Sequence, residues 1–122
     1  MQIVYVDDDA NSLAILNRFT KKFRGTEAMT FTDSTKALTY LTGNKADLIV
    51  IDYSMPVLNG IDFIRAVRAG TANEKTPIVM VTSSSFESLK SKAMQAGATD
   101  FVTKPVKPDE FKTRVLDLIA SA

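Results

Sequence analysis

The sequence contains neither cysteine nor histidine. Without cysteine, a disulfide, a thiolate nucleophile and a zinc–thiolate site are excluded. Without histidine, Ser–His and Cys–His catalysis, imidazole metal ligands and an internal phosphohistidine are excluded. An excess of one charge is also missing, because 15 basic and 14 acidic residues leave a net charge of +1. Domains that bind nucleic acid typically carry a clear positive excess, so we expect no direct nucleic-acid binding.

Long apolar runs are absent as well. The longest, Leu48 to Ile51 and Ile78 to Val81, are far shorter than the roughly 20 residues of a membrane-spanning helix. The N-terminus reaches three acidic residues without a cationic leader. We therefore expect a cytoplasmic protein that does not cross a membrane. The length suits a single domain over residues 1–122.

Short β-branched runs alternate with longer amphipathic stretches along the chain. Such alternation is typical of strands joined by helices, which must run parallel. The sequence therefore predicts an α/β fold in which a doubly wound five-stranded parallel sheet carries helices on both faces. The predicted strands are Ile3 to Val6, Ala28 to Phe31, Leu48 to Ile51, Ile78 to Val81 and Phe101 to Thr103.

Helix boundaries are marked by glycine, proline and capping patterns. Four glycines are predicted to stand just past a helix, where a left-handed residue is favoured. Ser84 with Glu87 forms a capping-box pattern, and Pro108 suits a first helical turn. Apolar spacing places Leu16, Phe19 and Phe23 on one helical face. The four glycines are Gly25, Gly43, Gly70 and Gly97.

Polar and charged residues follow the predicted strands. Asp7 and Asp8 follow the first strand, Asp52 the third, Thr82 the fourth and Lys104 the fifth. In doubly wound folds, ligands bind beyond these carboxyl ends. Clustered carboxylates repel one another and imply a cation, and an all-oxygen donor set favours Mg²⁺, with Mn²⁺ as an alternative. A carboxylate such as Asp52 is chemically able to accept a phosphoryl group.

These residues resemble the receiver domain of two-component response regulators, including the chemotaxis-regulator type. Four segments carry the resemblance in the expected order: Val-Asp-Asp-Asp, Ile-Asp-Tyr-Ser-Met-Pro-Val-Leu-Asn-Gly, Val-Thr-Ser and Phe-Val-Thr-Lys-Pro-Val. The resemblance covers essentially the whole chain. It implies a flavodoxin-like sheet with strand order 2-1-3-4-5.

The resemblance also implies a role for each matching residue. Asp52 would be the phosphoacceptor. Asp8, Asp52 and the backbone carbonyl of Ser54 would bind the metal, with Asp7 acting through water. The phosphoryl-binding and switch residues would be Thr82, Lys104 and Phe101, with a cis peptide bond between Lys104 and Pro105.

The family's function would then be a phosphorylation-activated switch. The phosphoryl donor would be a histidine kinase, a phosphotransfer protein or an acyl phosphate. The face formed by the fourth helix, fifth strand and fifth helix would control an output protein or a C-terminal effector domain, and would support a phosphorylation-dependent homodimer. The domain would not be an enzyme beyond its own phosphorylation and dephosphorylation. Phe101 lacks the hydroxyl of the tyrosine often found at that position, and the small Ser54 and Ser84 imply a short to moderate phosphoryl lifetime.

Two alternatives stay open at the level of sequence. Asp7 to Asp9 also contains the Asp-x-Asp of haloacid-dehalogenase-type phosphatases, in which Asp7 would be the nucleophile, although Ala10 and Asn11 replace the expected Gly-Thr. A pseudo-receiver that binds partners without phosphorylation is the other alternative. Asp9 itself is expected mainly to cap the first helix.

Overall fold

The computed structural model describes the backbone of residues 1–83 and 87–121 and the side chains up to residue 119. Five strands and five helices alternate along these residues. The elements are β1 (Gln2–Val6), α1 (Ala10–Thr20), β2 (Glu27–Phe31), α2 (Ser34–Gly43), β3 (Leu48–Asp52), α3 (Gly60–Arg68), β4 (Ile78–Thr82), α4 (Glu87–Ala96), β5 (Asp100–Thr103) and α5 (Pro108–Ser121).

The strands form one parallel sheet in the order β2-β1-β3-β4-β5. Every residue of β3 and β4 is buried, as expected for strands covered by helices on both faces. The chain reverses its direction of winding between β1 and β3, so the carboxyl ends of these two strands meet at a topological switch point. The predicted fold class and strand order are confirmed.

Two apolar clusters hold the helices on opposite faces of the sheet. One joins Ile49, Ile51 and Met80 to Phe63 and Leu41 of α3 and α2. The other surrounds Tyr5, Phe111 and Val115 together with residues of α1. These clusters fix β1, β3 and β4 from both sides, which leaves their polar carboxyl ends at a rigid edge. No helix among residues 1–83 and 87–121 is both long and apolar enough to cross a membrane.

Several predicted boundaries hold, and two are wrong. Asp9 caps α1 by accepting the backbone N–H of Asn11, and Pro108 begins α5. Helix α1 ends at Thr20, so Phe23 lies beyond it in a turn in which its N–H donates to the Thr20 carbonyl. Phe23 nevertheless packs in the core.

Gly43 is the second exception among the predicted helix ends. It is the last residue of α2 and has no positive φ, whereas Gly25, Gly70 and Gly97 do. Asn44 ends α2 in its place, since both its backbone N–H and its side-chain amide donate to the Tyr40 carbonyl. The predicted capping residue Ser84 lies outside the described residues.

Candidate phosphoacceptor and metal site

The carboxyl ends of β1 and β3 bring three carboxylates together. Asp7 and Asp8 follow β1, and Asp52 is the last residue of β3. Each offers an oxygen within 4.8 Å of the oxygens of the other two. Asp7 and Asp52 are buried, at 2% and 7% exposure, whereas Asp8 is exposed. We call these three residues the carboxylate cluster.

Lys104 reaches the carboxylate cluster from the segment after β5. Its Nζ lies 3.1 Å from Asp7 Oδ2 and 3.3 Å from Asp52 Oδ1. The backbone N–H of Lys104 donates to the Thr82 carbonyl at 2.7 Å, which continues the pairing of β4 with β5 and holds the lysine over the sheet edge. The peptide bond to Pro105 is cis, as the resemblance implied.

The charges of the site leave an imbalance. Among the described residues, three carboxylates face one ammonium group, so two negative charges are uncompensated. Burial raises the pKa of Asp52, the charge of Asp7 raises it further, and Lys104 opposes both. Burial lowers the pKa of Lys104, but its bond to Asp7 and the charge of Asp52 outweigh burial and leave that pKa raised. Lys104 is therefore fully protonated and still does not neutralise the site.

The three carboxylates differ in their hydrogen bonding. Asp7 Oδ1 accepts the backbone N–H of Asp9 at 2.9 Å, while its Oδ2 accepts from Lys104. Within the part of the chain that the structure describes, Asp8 makes no hydrogen bond or ion pair. Both oxygens of Asp7 are thus occupied, and those of Asp8 are available. The donor chemistry of this set, oxygen only and of net negative charge, fits a hard divalent cation such as Mg²⁺.

The other predicted site residues lie at different distances from the cluster. Thr82 is the buried last residue of β4, next to β3 in the sheet. Ser54 is exposed in the loop just after β3. Phe101 lies in β5 beside Met80 and packs, partly buried, against the core cluster that contains Met80 and Ala93. The structure thus brings Asp7, Asp8, Asp52 and Lys104 together, and places Phe101 against the core.

Gly60 positions the loop that carries Ser54, a role that the sequence did not assign. Its N–H donates to the Tyr53 carbonyl at 3.0 Å, which closes the loop onto α3. A Cβ at this position would lie 2.9 Å from each of the Asp52 carbonyl oxygen, the Tyr53 Cα and the Met80 side chain. Only glycine fits this close approach without a shift in the backbone at Asp52 and Tyr53. The glycine at the end of the Met-Pro-Val-Leu-Asn-Gly segment is the one sequence signal for this role.

A family model decides the classification. It describes the response regulator receiver domain, and it matches residues 3–116. The chain belongs to this family. The DNA-binding response regulator MtrA of Mycobacterium tuberculosis is 36% identical over 114 residues, which make up 93% of this chain and 48% of MtrA. The chain spans between about a third and a half of the length of the first curated relatives that it matches.

Solved structures agree with this receiver fold. A putative response regulator from Chloroflexus aurantiacus J-10-fl superimposes with a TM-score of 0.90 at 28% identity, over 98% of this chain and 97% of that one. The receiver domain of sensor histidine kinase PA1611 from Pseudomonas aeruginosa PAO1 gives 0.88 at 24% identity over the same shares. That second structure has a magnesium ion coordinated in its active-site cleft. The predicted family and fold are confirmed.

Proposed function

We propose that this receiver domain is a switch that accepts a phosphoryl group on Asp52 from a histidine kinase, a phosphotransfer protein or a small acyl phosphate. The observation that carries the proposal is the position of the Asp52 carboxylate, buried at the end of β3 and 3.3 Å from the Lys104 ammonium group. No histidine of residues 1–122 is the donor, because these residues contain none.

Each group of the site has a task in this transfer. An oxygen of Asp52 forms the new bond to phosphorus while the bond from phosphorus to the donor breaks, and the electron pair leaves with the donor. Lys104 already lies against Asp52 and neutralises charge on the phosphoryl oxygens. The Thr82 hydroxyl, at the end of the neighbouring strand, donates to another of these oxygens.

The metal is assigned to oxygens of the same edge. Asp8, Asp52 and the backbone carbonyl of Ser54 would hold Mg²⁺ directly, and Asp7, whose oxygens are both engaged, would act through water. A divalent cation, Mn²⁺ included, supplies charge stabilisation for the transferring group. The uncompensated charge of the carboxylate cluster supports this assignment.

Output is assigned to the face of α4, β5 and α5. A phosphoryl group adds about 1.5–2 negative charges and three acceptor oxygens, which draw Thr82 and Lys104 inward and leave room for Phe101 to turn. Such a shift extends only as far as the phosphoryl group interacts differently with the two states. The changed face contacts an output protein or an attached effector domain, or pairs with a second copy. MtrA, named as DNA-binding, illustrates a relative with such an output.

Intact-mass spectrometry with acetyl phosphate and Mg²⁺ tests the proposal. Wild type should gain one phosphoryl group, Asp52→Asn should gain none, and Asp7→Asn should gain it more slowly. A phosphorylated species that requires Asp7 and survives Asp52→Asn would indicate the phosphatase-type nucleophile. Absence of any adduct in wild type, together with absence of Mg²⁺-dependent NMR shifts, would indicate a pseudo-receiver.

A further inference from the structure

An apolar groove of about 440 Å³ opens between α1 and the segment that follows β5. Ile15 and Leu16 of α1 form one wall, Pro105 and Val106 form the other, and Val81 lies at the base. The volume falls within the range of small-ligand pockets, about 300–1,000 Å³. We call this feature the α1–β5 groove.

The α1–β5 groove is continuous with the phosphoacceptor site through Lys104. Lys104 is one of the residues that line the groove, and its Nζ lies 3.3 Å from Asp52 Oδ1. In an in-line transfer, a donor that presents its phosphoryl group to Asp52 places its leaving group on the far side of phosphorus from the attacking oxygen. Away from the carboxylates, the apolar walls are the surface on which the carbon skeleton of that leaving group loses contact with water.

We propose that the α1–β5 groove binds the apolar carbon skeleton of a small acyl phosphate, so that the domain selects aromatic or branched acyl phosphates over acetyl phosphate. The inference rests on the proposed function and names the class of small donor. Ile15 carries the selectivity, because it is 46% exposed on α1 and lines the groove. An apolar ligand that covers this exposed side chain would remove apolar surface from water, which is favourable.

The reaction balances without a further reactant. A carboxylate oxygen of Asp52 forms a bond to phosphorus, and the bond between phosphorus and the acyl oxygen breaks. The electron pair leaves with the carboxylate of the donor, and no proton is transferred. The released carboxylate departs beside the ammonium group of Lys104, while its carbon skeleton still occupies the groove.

The test compares the second-order rates of phosphorylation by benzoyl phosphate and by acetyl phosphate, followed by intact mass with Mg²⁺ present. Three proteins are compared: wild type, Ile15→Ser, and the matched control Leu116→Ser. Leu116 is 47% exposed on α5 and does not line the groove, so it matches Ile15 in exposure. Because intrinsic reactivity of the two donors is the same for all three proteins, the benzoyl-to-acetyl rate ratio isolates the contribution of the groove.

In wild type we expect benzoyl phosphate to react about tenfold faster. Ile15→Ser should lower the rate ratio roughly three- to tenfold, because it slows the reaction of benzoyl phosphate more than that of acetyl phosphate. Leu116→Ser should behave as wild type. Titration of the released product, benzoate, should shift the methyl NMR signals of Ile15 and Val106 in wild type.

Two results overturn different parts of the argument. If acetyl phosphate gives no adduct on wild type, the proposed function fails and the groove proposal fails with it. If acetyl phosphate reacts but the rate ratio is the same in all three proteins, the groove proposal alone is wrong. Benzoate shifts that avoid Ile15 and Val106 would contradict it as well, and would leave the groove to a partner protein's side chains.

Discussion

Replacement of Asp52 by asparagine should stabilise the metal-free protein although it removes the proposed phosphoacceptor. Asparagine has nearly the same shape as aspartate and carries no charge, so the packing at the end of β3 is retained. The raised pKa of Asp52, caused by burial and then by Asp7, already indicates that its ionised form is disfavoured in the folded state. The substitution therefore removes a charge that the fold holds at a cost.

The magnitude follows from the distances in the carboxylate cluster. An oxygen of Asp52 lies within 4.8 Å of oxygens of Asp7 and Asp8, and each such repulsion costs about 3.5 kcal/mol at an effective dielectric constant of 20. Attraction to Lys104 at 3.3 Å returns about 5 kcal/mol on the same scale. The net cost is about 2 kcal/mol, and solvent around the exposed Asp8 screens part of it. We expect Asp52→Asn to raise the free energy of unfolding by about 1–2 kcal/mol.

Urea unfolding followed by circular dichroism, in a chelator and again in Mg²⁺, measures this effect. In chelator the variant should have the higher free energy of unfolding, with a thermal midpoint roughly 3–10 °C above wild type. Mg²⁺ should stabilise wild type more than the variant, because the variant has lost one ligand charge. The control Asp62→Asn removes an exposed carboxylate that is 3.7 Å from Arg65 and should change little. A metal-free Asp52→Asn protein that is no more stable than wild type would refute the electrostatic account of the site.

Three further predictions concern the scaffold. Arg68→Met should lower the free energy of unfolding, measured in urea, by about 2–4 kcal/mol. The reason is that the guanidinium donates to the Gly97 carbonyl and to three carbonyls of the loop after α3. An Arg68→Lys variant as stable as wild type would contradict this, because the compact ammonium group of lysine does not reach all of these carbonyls. Gly60→Ala should cost about 1–3 kcal/mol, because its Cβ would meet two backbone atoms at 2.9 Å, and an unchanged thermal midpoint would exclude that clash. Burial raises the pKa of Tyr5 to about 12, although a hydrogen bond with Thr20 lowers it in part. As pH rises, Tyr5 therefore ionises in the unfolded state before it ionises in the folded state. From pH 10 to pH 12 the free energy of unfolding of wild type should fall by up to about 2.7 kcal/mol relative to that of Tyr5→Phe. Below pH 10 the wild type should be more stable by about 0.5–1.5 kcal/mol, because Tyr5→Phe loses the hydrogen bond. Parallel stability curves across pH 10–12 would show that the pKa of Tyr5 is the same in the folded and unfolded states.

The parts of the fold that the sequence predicted are those that depend on local pattern. The buried runs at Leu48 and Ile78 mark β3 and β4 because strands covered on both faces are apolar throughout. Parallel strands place their carboxyl ends at one edge, so the meeting of Asp7, Asp52 and Lys104 followed from topology alone. The all-oxygen donor set of these residues then indicated a hard cation, Mg²⁺, as the ligand.

The features that sequence reasoning missed depend on contacts between distant segments. The Arg68 guanidinium donates to the carbonyl of Gly97, 29 positions away in the sequence, and no periodic pattern in the sequence predicts this contact. The close approach at Gly60 is set by how α3 packs on Met80. The sequence also did not show that α1 ends before Phe23. Phe23 packs in the core from the turn after α1, so its apolar character fits a turn as well as a helix. Local propensity does not distinguish the two.

The carboxylate cluster and the core around it have opposite effects on stability, and this opposition explains how the site is maintained. Strands β3 and β4 are buried at every position and are fixed by apolar clusters on both faces, so the acidic edge does not relax by moving apart. A divalent cation bound at the carboxylate cluster would offset the repulsion that remains. Substitutions that neutralise Asp8 or Asp52 should therefore stabilise the metal-free fold and weaken metal binding together. A variant at either position that became more stable and also bound Mg²⁺ more tightly would show that the two effects do not share this electrostatic origin.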